Sequence, residues 1–193
     1  MQYPELNLSL PKWLDAFLSE PEYVLPNLQD RMQFVIDLAR RNIERQTGGP
    51  FGAAVFESPT GKLIAPGVNL VETSNCSLAH AEMVALALAQ RKLNNFDLAQ
   101  NPNTSYELVT STEPCAMCLG AIPWSGVKQL VCGARDEDAR AIGFDEGDKP
   151  TDWVASLESR GINVVRDLLR PQAQAVLQRY RQMNGLIYNP GQT

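Results

Sequence analysis

The chain of 193 residues contains a single histidine, so no metal site within it can draw on two imidazoles. Its cysteines number only four, and with no export signal they read as reduced thiols or metal ligands rather than a disulfide framework. Positive charge is in deficit: 17 Lys and Arg stand against 22 Asp and Glu, a net charge of −5. Nucleic-acid affinity rests on Lys and Arg neutralising phosphates, so no nucleic-acid partner is expected and a small-molecule substrate is favoured. No apolar stretch approaches the length needed to span a bilayer, and Met1-Gln2-Tyr3-Pro4-Glu5 has neither the basic nor the apolar part of a secretion signal. A cytoplasmic protein without a membrane partner is therefore expected. Also missing are long Gly/Ser, Pro or charge runs and any internal repeat, which excludes a disordered half and a solenoid.

Pro4, Pro11, Pro21 and Pro26 deny residues 1–27 a long helix and leave an N-terminal arm with a short helical turn over 12–19. Over 28–46, Met32, Val35, Ile36, Ala39 and Ile43 recur at helical spacing, with Asn27 as N-cap and Gly48-Gly49-Pro50 as the stop. Short strands over 53–57 and 62–65 flank Ser58-Pro59-Thr60-Gly61, a hairpin turn, and residues 68–71 extend the second strand. Helices are expected over 79–93, from Pro114 onward, over 136–142 and over 151–160, and strands over 105–110, 128–133 and 162–165. Val176, Leu177, Tyr180 and Met183 stripe a final helix over 171–184, which Gly185 ends, and a tail occupies 185–193. A hairpin followed by alternating helices and strands predicts one α/β domain over 1–193: a three-layer α/β/α sandwich with a mixed central sheet, antiparallel first and parallel thereafter.

The lone histidine lies in His80-Ala81-Glu82, at the expected start of a helix. Downstream, Pro114-Cys115-Ala116-Met117-Cys118 puts two sulfurs on one face of a first helical turn, where both can reach one ion. The helix dipole and a bound cation both favour thiolate, the form that ligates zinc. His80, Cys115 and Cys118 thus offer Zn²⁺ three ligands and leave a fourth tetrahedral position for water, a catalytic coordination set. A closed structural zinc would need Cys76 or Cys132 as well, and both read instead as small buried apolar residues. Two thiolates cancel the formal charge of Zn²⁺, so the metal acidifies water less than an all-histidine site and a general base is needed. Glu82, beside the metal and not bound to it, is placed to shuttle that proton. H-x-E with P-C-x-x-C is the signature of zinc nucleobase deaminases.

With Pro50-Phe51-Gly52-Ala53, Thr73-Ser74-Asn75, Gly120-Ala121-Ile122 before Trp124, and Gly143-Phe144-Asp145-Glu146, the stretch over 50–148 resembles the cytidine-deaminase-like zinc superfamily, specifically its bacterial guanine deaminases. The resemblance implies that Phe51, Asn69, Ala81 and Trp124 bind the base and that Glu146, where the family often has Asp, recognises it and takes part in catalysis. Read without the family, Phe51 and Trp124 are equally two core aromatics, and Asp145 and Glu146 a solvated loop. The implied reaction is guanine plus water to xanthine plus ammonia, with zinc-bound hydroxide attacking the amino-bearing carbon, Glu82 moving the protons, and no organic cofactor. Aminotriazines with an equivalent edge are expected as secondary substrates. The resemblance also implies a homodimer whose C-terminal segments exchange, with Tyr188 reaching the base. Two readings compete: deamination of another base, cytosine or an adenosine in tRNA, and a non-catalytic zinc-binding module in which Glu82 is idle.

Overall fold

The five apolar positions at helical spacing are all buried along helix α2 (Leu28–Glu44) of the computed structural model. The structure describes Tyr3 and residues 7–18, 22–189 and 191. Ahead of α2, helix α1 (Trp13–Phe17) occupies the expected helical turn, whose last residue, Ser19, lies outside the described residues. Phe17 stacks on Phe34 of α2 with ring centroids 5.5 Å apart, and Leu14 is buried, so this part of the arm is docked on the core.

Strands β1 (Gly52–Glu57) and β2 (Lys62–Val68) form the antiparallel hairpin, with a register shift between Val55 and Phe56. β1 also pairs antiparallel with β3 (Tyr106–Thr112), which pairs in parallel with β4 (Gln129–Ala134), and β4 in parallel with β5 (Asn163–Val165). Among the described residues the sheet order is β2-β1-β3-β4-β5, mixed in the expected sense. Alternate side chains face opposite ways along each strand. Ala54, Phe56, Val109 and Val131 join a core with α2 and helix α8 (Arg170–Gln182). Ala53, Val55, Leu108 and Leu130 join a second core with helices α4 (Ala81–Leu93), α5 (Ala116–Ser125) and α7 (Trp153–Glu158). Helices on both faces make the three-layer α/β/α sandwich.

Residues 68–71 do not extend β2 beyond Val68. Instead, Asn69 Oδ1 lies 3.4 Å from the Val71 N–H, the local turn that asparagine favours, and the chain enters helix α3 (Val71–Ser74). Helix α4 begins at Ala81 rather than Ala79, with His80 extended at its N-cap. Helix α5 begins at Ala116, since Cys115 stays extended. Gly67 lets α4 approach β2: a Cβ there would collide with the Ala81 carbonyl oxygen and stand 2.6 Å from the Ala85 nitrogen. The short helix α6 (Asp136–Ala141) follows β4.

Candidate active site

His80 and Cys115 occupy equivalent places, each the extended N-cap residue of a helix, α4 and α5. The His80 carbonyl accepts the Val84 N–H at 2.9 Å and the Cys115 carbonyl accepts the Leu119 N–H at 2.8 Å, so the helices that follow hold both residues in place. Cys118 lies one turn into α5. His80 Nδ1 stands 3.4 Å from Cys115 Sγ and 3.6 Å from Cys118 Sγ, with all three ligand atoms within 4.8 Å of one another. Tetrahedral zinc with ordinary Zn–N and Zn–S lengths would separate nitrogen from sulfur by about 3.6 Å, so the donor set fits the ion. Among the described residues no other histidine, cysteine or carboxylate joins this group. Cys132 is buried in the second core and Cys76 packs, half-buried, against the first, and neither completes a closed four-ligand site.

Without a cation the sulfurs divide the charge unequally. A hydrogen bond from Cys118, opposed by burial and aided by His80, draws the Cys115 thiol down to about 4. Cys115 and burial push Cys118 the other way. A zinc ion between them would hold both as thiolates. Glu82, in the first turn of α4 and only 6% exposed, is pushed up to about 7 by burial and the Cys115 charge. Glu146, 5% exposed, is pushed up to about 8 by the same two causes in the same order.

Both carboxyl groups, His80 and Cys115 open into one cavity of about 540 Å³. Phe51, Asn69 and Tyr188 also line it, together with Phe144 and Glu113, for which the sequence reading assigned no role. The Phe51 and Phe144 rings meet edge-on at 5.0 Å, and Phe144 meets Tyr188 edge-on at 5.4 Å. Phe144 carried a signal, since it lies inside the Gly143-to-Glu146 motif. Glu113 carried one too, next to the Pro114-Cys115 pair: it is buried, its Oε1 is 2.6 Å from Arg166, and its Oε2 accepts the Asp136 N–H at 3.1 Å. Asn189, another lining residue, sits in the tail, where nothing in the sequence marks it.

Two expected base-binding residues are elsewhere. Trp124 is 85% exposed and lines a separate surface groove with Pro123 and Trp153. Six residues beyond Cys118 on a helix is a rotation of about 240° from it, which points the indole away from the ligand face. Ala81 is fully buried in the second core and does not line the cavity.

The tail reaches the cavity of its own chain. Asn69 Nδ2 donates to Tyr188 Oη at 2.6 Å, Tyr180 Oη donates to the Leu186 carbonyl at 2.8 Å, and Asn189 Nδ2 donates to the Gly143 carbonyl at 2.8 Å. In this chain the tail itself supplies a tyrosine to the site.

Known proteins resemble the chain on this same architecture. The model of the cytidine and deoxycytidylate deaminase zinc-binding region matches residues 26–134. A guanine deaminase of Bacillus subtilis is 37% identical over 132 residues, 65% of this chain and 80% of that one. A tRNA-specific adenosine deaminase of Rickettsia bellii is 34% identical over 93 residues, 48% of this chain and 61% of that one. The solved guanine deaminase from Nitrosomonas europaea superposes with a TM-score of 0.88 at 48% identity, covering 94% of this chain and 99% of its own. The chain therefore belongs to the cytidine and deoxycytidylate deaminase zinc-binding family, and within it resembles the guanine deaminases.

Proposed function

We propose that the chain deaminates guanine hydrolytically to xanthine and ammonia, a step of purine breakdown. The observation that carries this reading is the placement of two buried carboxyl groups, Glu82 and Glu146, in one aromatic-lined cavity with the His80, Cys115 and Cys118 cluster. The guanine deaminases it resembles, one matching nearly over its full length, support the choice of base. Zinc, when held by those three residues, supplies Lewis-acid activation of the attacking water. Glu82 accepts the water's proton and delivers protons to the ring nitrogen and the departing amine. Phe51 and Phe144 flank the base, Asn69 and Tyr188 close over it, and their apolar surface excludes bulk water.

Glu146 reads the edge of the base. Ionised, it only accepts hydrogen bonds, and the ring N–H beside the amino-bearing carbon of guanine both pairs with it and favours its charged form. Neutral cytosine and adenine present a bare ring nitrogen there. Once ionised, the carboxylate would face it unpaired, a cost of about 1–3 kcal/mol when buried; protonated, the form favoured below about 8, it donates to that nitrogen instead, so the preference for guanine sharpens as pH rises. The same edge in an aminotriazine makes such compounds secondary substrates. With a net charge of −5, the chain is poorly suited to gripping a folded RNA.

Ammonia release from guanine, cytosine, adenine and an aminotriazine tests the reading, with guanine expected to be fastest and Glu146→Gln expected to lower its kcat/KM by about 10-fold or more. Preference for cytosine, or full guanine turnover in Glu146→Gln, would overturn the assignment of the base. We further infer a homodimer joined through the outward face of α5, where Trp124 is exposed, with each tail kept on its own chain. Sedimentation of wild type and Trp124→Arg tests this, a shift toward monomer being expected. None of the four cysteines is in a disulfide, which fits a reducing cytoplasm.

A further inference from the structure

The family match begins at residue 26, so all but the last two residues of the N-terminal arm lie outside it, yet one of those arm residues is wired to the cavity wall. Trp13 Nε1 donates to Thr47 Oγ1 at 3.0 Å, and that hydroxyl donates to Asn42 Oδ1 at 2.7 Å. Asn42, fully buried on the last turn of α2, donates from Nδ2 to the carbonyls of Gly49 and Asn69, each at 2.9 Å. The bonds from the indole and to the two carbonyls have forced directions, and the Thr47 hydroxyl has the Asn42 carbonyl at 3.3 Å as a second, longer acceptor. An indole N–H can only donate, so the threonine oxygen accepts it and directs its one proton onward. The two carbonyls can only accept, so they fix which way the Asn42 amide faces: its N–H groups lie on them and its Oδ1 is left for the Thr47 hydroxyl. At its buried end, Asn42, the network is fully satisfied and has one geometry rather than several; Trp13 and Thr47 are half-buried.

These carbonyls belong to the two segments that carry base-contacting side chains. Gly49 lies two residues before Phe51, and its N–H stands 3.4 Å from Asn69 Oδ1. A Cβ on Gly48 would collide with the Asn69 carbonyl oxygen, so the segments touch backbone to backbone. Thr73 Oγ1 adds a link to the Thr47 carbonyl at 3.2 Å. Asn69 Oδ1 is thereby occupied by backbone donors, at Gly49 and Val71, and its Nδ2 is turned toward Tyr188 and the cavity.

We propose that Trp13, Thr47 and Asn42 are positioning residues: the N-terminal arm, through this relay, sets where Asn69 and Phe51 stand in the base-binding wall. The inference rests on the reading that those two residues contact the base. None of the three relay residues lines the cavity, so their effect is exerted on base binding and not on proton transfer.

The test uses full-length Trp13→Phe, which keeps a ring and loses the donor, and Thr47→Val, which keeps shape and loses the hydroxyl. In both, KM for guanine should rise about three- to tenfold while kcat stays within about twofold, with zinc content unchanged. Amide hydrogen exchange at Gly49 and Val71, the donors onto Asn69, should quicken about tenfold. A merely structural relay would lower the melting temperature and leave KM where it was, and that result overturns the proposal. Unchanged exchange at both amides overturns it as well, and since exchange needs no substrate it decides the matter even if wild type fails to deaminate guanine, in which case the proposed function falls separately.

Discussion

Glu82 stands two residues after His80, buried beside the sulfurs and outside the group of ligand atoms. Replacing it with Gln preserves shape and removes the ability to carry a proton, so Glu82→Gln is expected to keep its zinc and its unfolding midpoint and to lose about 10²–10⁴-fold in turnover. Elemental analysis and steady-state kinetics check the two halves, and retained turnover would mean that another group moves the proton. Cys115→Ala and Cys118→Ala should each lose most of their zinc, and undiminished metal in both would refute the ligand set. Each pair was legible in the sequence because its spacing is local, two residues along a helix N-terminus and three along a first turn; the fold then brings His80 to Cys115, 35 residues on. Trp124 was not, because whether a helical residue meets a cavity depends on which face of the helix the cavity lies against.

The approach of α4 to β2 at Gly67 is a feature of whole elements, and it sets the height at which His80 and Glu82 enter the cavity. Gly67→Ala is expected to push the helix off the strand and destabilise the fold by about 1–3 kcal/mol, read from the urea midpoint. The tail is the other element with a functional consequence. A chain ending before Gly185 loses Tyr188 and the Asn189 contact with Gly143, and should bind guanine more weakly while keeping its zinc. Unchanged kinetics would reduce the tail to surface. Strands and long helices were read from periodicity to within about three residues, but residues 68–71, expected to extend β2, leave the strand after Val68, since four residues are too few to show a period and the side chain of Asn69 decides the turn.

Across the whole molecule, one buried ion pair ties an outer layer to the sheet. Arg31 of α2 meets Glu107 of β3 at 2.6 Å, with side-chain exposures of 7% and 1%, and Gln129 of β4 donates to the other carboxylate oxygen at 3.1 Å. Removing one partner strands a buried charge, so Arg31→Met should cost about 3–5 kcal/mol. The double variant Arg31→Met with Glu107→Leu should recover a good part of that. Chemical unfolding of the three proteins measures both, and a double variant no better than the single would show that packing, not stranded charge, sets the cost. The order of strands and helices, and the two local halves of the zinc-type donor set, H-x-E and C-x-x-C, follow from the sequence, because periodicity, turn residues and ligand spacing within each half are written within a few residues of one another. Which side chains share the cavity was decided by tertiary structure: Phe51, Asn69, Phe144, Glu146 and Tyr188 come from segments up to 137 residues apart and meet only when the sheet brings their loops to one end. Trp13 shows the limit most plainly: it sits in a flanking segment whose sequence carries no period and no motif, and only the packed structure gives its indole N–H the Thr47 hydroxyl as a partner.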